Sequence, residues 1–587
     1  MFVVKKTISG NDYYYLRSSE RIDGKVKAVT VAYLGKNKKE AEKKAKEIER
    51  KLSERVRDGK LSAVSELSGR VRDNSGAEII KERDKKPAKS SSFDNKILSK
   101  KEISIDGLAA FCKRKGFVYP SAEIYGGFAG FWDFGHLGVE LKNNIKNEWW
   151  KFHVIQREDI VGIDGSIITN PKVWEASGHV ESFSDIFVMC KKCKKSGKVD
   201  KNELGKEGVR CEHCGGEYDE KSAKEFKLMF KTDIGRDDFG YLRPETAQMI
   251  FTNFKAVQEN ARMQLPFGIA QMGKAFRNEI SPRDFLFRMR EFEQMEIEYF
   301  VDPSEKCPYT LGNSEILVYS DEMQDKNKEM EKMKFKDALK KGIIKTDWHA
   351  YWLEQEFLWF INLGADKKKF RIRQHTKDEI SHYASDTWDL EYEFPFGWKE
   401  LQGLSNRTDF DLKQHEKFSG KSMEIVKADG KKIIPHVVCE PSQGLERAML
   451  VFLFDSYYYD SYRDNIVLKL SPKLAPIKAA VFPIVKKPEY EKMAREIVKD
   501  LGKDWNVVYD KSGSIGRRYS RNDEIGTPYC ITIDEESGKN KDVTIRDRDT
   551  TGQVRVKIND LRDILGKLVK GEVKFEEAGK IVETRVK

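Results

Sequence analysis

Apolar and polar positions along the 587-residue chain change their period several times, and each change marks an element. In the first 35 residues, short β-type runs around Tyr13, Tyr14 and Tyr15 and from Val26 to Leu34 flank Asp23-Gly24, which predicts paired strands. A lysine-rich helical pattern follows over 38–57. Residues 70–101 carry charges and serines with few large apolar side chains, the composition of a linker. Ile105 to Lys115 reads as a short amphipathic helix that Phe117 to Pro120 ends. After Gly138, Leu141, Ile145 and Trp149 recur every four residues, one stripe of a longer helix. Between Phe267 and Phe300 two apolar-rich runs surround a loop of Ser281, Pro282, Arg283 and Asp284. In the second run Gln294, Glu296 and Glu298 alternate with Met295, Ile297 and Tyr299, which predicts an antiparallel hairpin whose return strand has one polar face. The charged stretch 321–345 reads as helical, part of an inserted segment over about 303–368, and 352–363 as a more buried helix. Strand alternation returns over 370–375 and 382–412. An extended run, a glycine turn and an apolar helix carrying Arg447 in its first turn occupy 435–460. Beyond Pro476, strands and helices alternate, which predicts a separate α/β domain with a mixed sheet.

Composition narrows the class. No apolar run approaches the length of a membrane span and no signal-peptide pattern stands at the start, so a soluble, cytoplasmic protein is expected, with no membrane partner. The net charge of +11 is uneven: residues 1–100 hold 26 Lys+Arg against 15 Asp+Glu, and the other 487 hold 81 against 81. A basic arm on a neutral body points to an anionic polymer, most simply nucleic acid, with a merely solubilising tail as the bland alternative. Residues 1–69 also resemble, at low specificity, the segment ahead of some insertion-sequence transposases.

Two features carry candidate chemistry. The 267–300 hairpin presents arginines, carboxylates and an aromatic ring together. Guanidinium forks suit phosphate and an aromatic face suits a base, although a salt-bridged sheet edge would look similar. Cys190-x-x-Cys193 and Cys211-x-x-Cys214, seventeen residues apart, have the spacing of a four-thiolate structural Zn²⁺ ribbon.

The ordered set GFWDFGHLGVELKNNIKNEWW (131–150 with its preceding glycine), FRNE…FRMREFEQME (276–296) and EPSQGLER (440–447) resembles the three motifs of class II aminoacyl-tRNA synthetases. WEASGHV, LMFKT, YLRPETAQ, GWKELQG and NRTDFDL resemble the homodimeric glycyl-tRNA synthetases within that class, over roughly 102–580. The resemblance implies an α+β fold: a class II antiparallel catalytic sheet flanked by helices over 102–472, with a zinc-ribbon-like insertion at 186–218, an anticodon-binding α/β domain at 473–587 and a basic extension at 1–69. It implies glycine, ATP with Mg²⁺, and tRNA as substrates, and a homodimer. By the same resemblance Arg277 contacts the α-phosphate and the glycine carboxylate. Glu279 reads the adenine amino group, with Phe292 stacked on the ring; Arg288 takes the β/γ-phosphates, Arg447 the other adenine face, and Glu400 helps hold Mg²⁺. Arg277, Glu400 and Arg447 are the implied catalytic set. Asn278, Phe287, Arg290, Leu401 and Gly444 complete the implied ATP contacts. Glu245, Glu296 and Glu440 surround the glycine ammonium, with Ser442 filling the space of a Cβ and Phe292 and Gly444 beside it; Arg407 orders these acids or meets the substrate. Arg517, Arg518, Tyr519 and Arg521, taken as a loop, are candidate RNA contacts.

Three positions depart from the family pattern. His136 stands where proline is usual, which bears on the helix entry; Met249 stands where glycine is usual, which bears on the pocket wall; and Lys198 replaces a frequent arginine. Two other functions fit the same motifs in part: a catalytically silent synthetase-like nucleic-acid-binding protein, such as a polymerase accessory factor, and a class II synthetase for another small amino acid.

Overall fold

The computed structural model describes residues 2–8, 11–22, 25–35, the single positions 42, 45 and 46, and then 103–199 and 209–582 apart from 212, 213, 382 and 428. The chain forms two compact units, 1–97 and 98–587. The first holds a three-stranded antiparallel sheet of Phe2–Ile8, Asn11–Ile22 and Lys25–Gly35, with Phe2 opposite Arg17 and Ile22 opposite Lys25. Both expected strands are there, preceded by a third that the pattern did not announce. The expected turn at Asp23-Gly24 and the linker at 70–101 lie outside the described residues, as does the helix expected over 38–57 apart from those three positions.

The second unit is built on a nine-stranded sheet. Its strands are β1 (Ile160–Ile163), β2 (Phe267–Phe276), β3 (Glu291–Val301), β4 (Glu315–Tyr319), β5 (Glu331–Lys334), β6 (Phe370–Gln374), β7 (Asp386–Phe394), β8 (Gly397–Asn406) and β9 (His436–Gly444). The spatial order is β5-β4-β6-β7-β8-β9-β3-β2-β1, antiparallel except at the β4/β6 and β2/β1 pairs. The predicted hairpin is β2–β3, with Phe267 opposite Phe300 and Phe276 opposite Glu291. The fold is α+β.

The alternation in β3 sorts its side chains between two layers. Met295, Ile297 and Tyr299 join the main core with α4 (Asp347–Asn362) and α6 (Leu445–Ser456), where Trp352, Trp359 and Leu450 are also buried. Each fully buried apolar side chain there contributes about 1.5–3 kcal/mol. Phe300, on the other face, packs with Phe254 of α3 (Ala247–Ala261) and Leu412 of α5 (Phe410–Ser419). Gln294, Glu296 and Glu298 share that face and are buried too, so the polar face of the strand lines an interior, not solvent.

The long stripe forms α2 (His136–Trp150), after α1 (Ile105–Lys115). His136 opens α2 without disturbing it: Gly135 caps the helix, and the imidazole rests against Gly116, where a Cβ would meet it at 2.5 Å. The segment 303–368 corrects the helical expectation. It supplies β4, the edge strand β5 and two short helices, Asp321–Asp325 and Phe335–Lys340, before α4 begins. The pattern missed β5 because lysine and glutamate, as in Glu331 to Lys334, occur on an exposed edge strand as readily as on a helix.

The C-terminal sheet has strands β10 (Ala479–Pro483), β11 (Val507–Tyr509), β12 (Tyr529–Ile533), β13 (Asp542–Asp547), β14 (Gln553–Lys557) and β15 (Lys580–Ile581) in the order β11-β10-β12-β13-β14-β15. Helices α7 (Pro488–Leu501) and α9 (Leu561–Lys570) cover one face with their own core. Helix α8 (Ile515–Glu524) covers the other beside Phe482 and Cys530. The basic–aromatic loop expected at 517–521 is therefore a helix. Arg518 is buried and donates to the carbonyls of Pro483 and Gly513, Tyr519 pairs with Thr532, and Arg521 with Asp510. Among the described residues no helix is long and apolar enough to cross a membrane.

Candidate active site

The loop joining β2 to β3 is held by its apolar residues. Phe285, Leu286 and Met289 are buried in the main core, and the Phe285 ring meets Trp132 edge-on at 4.9 Å. Asp284 and Phe285 have φ of 57° and 56°, a left-handed corner that turns the chain back. Backbone bonds from Arg277 to Arg290 (2.9 Å) and from Asn278 to Leu228 (2.7 Å) pin its ends. The arginines on this loop thus stand on an anchored platform.

Beside it lies a cavity of about 350 Å³, lined by β3, β7, β8, β9, the start of α6 and the segment before α3. It contains all the expected substrate-site residues except Asn278, Arg290 and Arg407. The Arg290 side chain turns instead to the carbonyls of Glu279 and Ala129, both at 3.0 Å, which ties the loop to the glycine-rich segment before α2. Asn278 meets the wall through its backbone bond to Leu228. Arg407 lies beneath the floor.

The cavity has two unlike halves. At one end Arg277 lies between the rings of Phe292 and Phe183, 5.4 and 5.6 Å from their centroids, with its Nε donating to the carbonyl of Pro244 at 3.0 Å. Arg288 Nε is 3.8 Å from Glu279 Oε2. Arg447 stacks on Phe287 at 4.6 Å and reaches Glu400, its terminal nitrogen 3.1 Å from Oε1 and 3.0 Å from the carbonyl. Burial disfavours the charge on Glu400, but Arg447, His375 and Arg277 outweigh it and lower its pKa.

The other half is acidic. Register places Glu296 of β3 opposite Ser442 of β9, and Ser405 of β8 opposite Glu440. Ser442 Oγ donates to Glu296 Oε1 at 2.6 Å, and Thr246 Oγ1 donates to Oε2. Glu245 faces His179 Nε2 at 3.2 Å. Burial opposes its ionisation, yet His179, Arg407 and Arg277 hold it well below the usual carboxylate range. Beneath, the Arg407 guanidinium spans two acids, bidentate to Asp411 at 2.8 and 2.9 Å and reaching Glu440 at 2.9 Å, with the Tyr383 ring 4.0 Å away. Burial raises Glu440 although Arg407 opposes it; burial and the charge on Glu245 also raise Glu296.

Sequence reasoning missed His375, Asp389, Tyr383, Thr387 and Gln294, all on the cavity wall. His375 Nε2 sits 2.9 Å from Asp389 Oδ2, and burial raises Asp389 to about 6. The one signal for this pair was polar residues within the alternating run 370–412, which does not separate cavity from surface. Met249 does not reach the cavity; it is buried with Trp174 and Met229 against Gly165.

The four cysteines meet on a separate three-stranded sheet, Ser184–Cys190, Ser196–Val199 and Tyr218–Lys227. Their sulfurs lie within 4.8 Å of one another, with Cys190–Cys214 at 3.5 Å and Cys193–Cys211 at 3.7 Å. A tetrahedral Zn²⁺ with ~2.3 Å Zn–S bonds needs sulfurs roughly 3.8 Å apart, so the donor set fits that ion.

Residues 230–456 match the tRNA synthetase class II core domain (G, H, P, S and T), and residues 478–568 match the anticodon binding domain. The chain is similar to the glycine–tRNA ligase of Borrelia hermsii, 43% identical over 470 residues that cover 78% of this chain and 96% of that protein. It is similar to that of Thermobifida fusca, 40% identical over 503 residues (81% and 100%), and to that of Geobacillus thermodenitrificans, 43% identical over 498 (79% and 98%). With such identity over nearly the full length of these relatives, and with both halves of the cavity drawn from the matched core, the chain belongs to the glycine–tRNA ligase family of class II synthetases.

Proposed function

We infer that this protein joins glycine to tRNA in two steps, by way of glycyl-adenylate. The observation that carries the reading is the division of one cavity into an arginine–aromatic half and a carboxylate half, side by side. A nucleotide triphosphate needs the first and an amino acid's ammonium the second. In the first step a glycine carboxylate oxygen attacks the α-phosphorus of ATP, forming the P–O bond as the bond to pyrophosphate breaks. In the second, a hydroxyl of the tRNA's terminal adenosine attacks the glycyl carbonyl and AMP leaves. Little covalent work falls to the protein, so placement and charge dominate.

Arg277 serves the α-phosphate and the glycine carboxylate, and Arg288 the outer phosphates. Phe292 and Arg447 bracket the adenine, with Glu279 at its amino group. Glu245, Glu296 and Glu440 receive the ammonium, and Ser442, fixed by Glu296, closes the space that a larger side chain would need; a rigid wall rejects an added methyl steeply. Arg407 is the positioning residue of this set. Glu400 and Asp389 offer the hard carboxylate oxygens that Mg²⁺ prefers, and that ion would neutralise phosphate charge. The four cysteines hold a structural Zn²⁺. Exposed Ile124, Tyr125 and Phe128, in the segment that precedes α2, support a homodimer. The reading places the protein in the cytoplasm, where tRNA is charged.

The test is ATP–pyrophosphate exchange with glycine, alanine and serine in turn. Exchange with glycine alone is expected. Exchange with alanine or serine at comparable kcat/KM would favour a synthetase for another small amino acid, and none at all would favour a silent nucleic-acid-binding protein.

A further inference from the structure

Below the carboxylates assigned to glycine lies another acid with no assigned role. Glu298 follows Glu296 on the same face of β3 and is fully buried. The β3/β9 register, with Glu296 opposite Ser442, sets Glu298 across from Glu440. Carboxylate oxygens of Glu296, Glu298 and Glu440 lie within 4.8 Å of one another. Yet neither oxygen of Glu298 has a hydrogen-bond partner. Two like charges directly opposite on paired strands repel, and a buried ion without a partner is costlier still. The nearby cation cannot relieve it: Arg407 commits its guanidinium to Asp411 and Glu440.

We propose that Glu298 is a positioning residue held as the neutral acid, its hydroxyl donating to the Glu440 carboxylate so that Glu440 meets the glycine ammonium as an anion in a fixed orientation. This rests on the reading of the cavity as a glycine site. Glu440 is then held from both sides, by Arg407 on one oxygen and by Glu298 from the opposite strand. The groups facing this pair are Glu296 on β3, Arg407 after β8, Asp411 on α5, Glu245 before α3, Tyr383 before β7 and Cys439 on β9. Burial, then the charge of Glu440, raise Glu298 well above the usual carboxylate range, in agreement with the neutral form.

The experiment compares wild type, Glu298→Gln and Glu298→Leu in glycine-dependent ATP–pyrophosphate exchange from pH 6.5 to 9, with thermal melts of each. Gln keeps a neutral donor, so its glycine KM stays within about twofold of wild type and its pH profile is unmoved. Leu removes the donor: glycine KM rises about tenfold at pH 7.5, the acid limb of kcat/KM moves to higher pH, and kcat at saturating glycine changes by less than threefold. The melting temperature of the Leu protein stays close to that of wild type, because the lost bond to Glu440 is offset by no longer burying a second carboxyl there. A role in stability alone would link a weaker glycine site to a lower melting temperature. A difference infrared spectrum of wild type minus Gln gives an activity-independent reading, with the carbonyl band of a protonated carboxyl expected at pH 7.5. The proposal is overturned if Leu leaves glycine KM within twofold, if Gln weakens glycine as much as Leu, or if that band is missing. Wild type lacking any glycine-dependent exchange would instead overturn the glycine site itself.

Discussion

Arg407 is the cation beneath the acidic half of the cavity, and Arg407→Met tests whether that half serves glycine. Its side chain and that of Asp411 are each 2% exposed, and that of Glu440 is 9% exposed. The substitution removes three charge-assisted bonds and leaves two carboxylates buried without their partner. Removing one member of a buried ion pair costs about 3–5 kcal/mol when the remaining charge cannot escape. Here part of it can escape. Burial already raises Glu440 against the opposing charge of Arg407, so it takes up a proton more readily once the guanidinium is gone. The glycine ammonium then loses one ionised acceptor. A hydrogen bond to a charged group contributes about 1.5–3 kcal/mol, which is roughly a ten- to hundredfold rise in glycine KM.

The assay is ATP–pyrophosphate exchange with glycine varied at saturating ATP, then the reverse. The ATP KM should stay within about twofold, because the arginines of the other half are untouched. The pH response follows from the sign of the shift. A carboxyl whose pKa is raised loses its charge earlier as the pH falls, so glycine kcat/KM in wild type climbs from the acid side as that carboxyl ionises. In the Met protein the climb moves to higher pH. Arg407→Lys should fall between the two, since one ammonium cannot span both acids as a guanidinium does. A parallel rise in the ATP and glycine KM values, or a glycine KM unchanged by Met, would refute this account.

Three other outcomes are expected. Arg277→Gln should lower the exchange rate by about 10²–10³ at saturating substrates while the fold is retained, because the lost group stabilises charge at the reacting phosphorus; an effect confined to KM would contradict the assignment. Purified protein should hold one Zn²⁺ per chain by elemental analysis, and Cys211→Ser with Cys214→Ser should abolish it and lower the melting temperature; full metal content in that variant would exclude the site. Deleting residues 1–95 should raise the KM for tRNA and flatten its salt dependence while glycine-dependent exchange stays unchanged, if the 24 Lys and Arg residues of that segment meet phosphates; an unaltered salt slope would leave the extension without an RNA role.

The hairpin was legible because its two apolar runs and charged turn fix pairing and register locally, and the structure pairs Phe267 with Phe300 accordingly. The acids of the glycine half were legible only through motif resemblance. Period-2 alternation says that Gln294, Glu296 and Glu298 share a face, but it cannot say that α3 and α5 close over that face and bury it. The same limit hid His375, which directly follows β6, and Asp389 of β7, which meet the arginine half only through sheet order. It also misread the backbone at 517–521: arginines beside a tyrosine look like a loop, yet the segment is a helix in which Arg518 and Tyr519 bond within the domain. Charge in a sequence does not state what it is paired with.

That limit bears on how α2 relates to the cavity. Glu293 opens the other face of β3, and there it meets lysines of α2: Lys142 Nζ at 2.7 Å and Lys146 Nζ at 2.9 Å. Lys142 also reaches Glu446 at 3.0 Å, and Glu446 in turn accepts the backbone N–H of Glu293 at 2.9 Å. Glu446 lies next to Arg447 on α6 and lines the cavity. One ionic cluster therefore ties α2, the hairpin strand β3 and α6 together at the point where Phe292 and Arg447 line the cavity. The charges are well matched in this cluster, with Lys142 raised and Glu293 lowered against the burial that opposes each. A displacement of α2 would therefore move Phe292 and Arg447, on opposite sides of the arginine half, together.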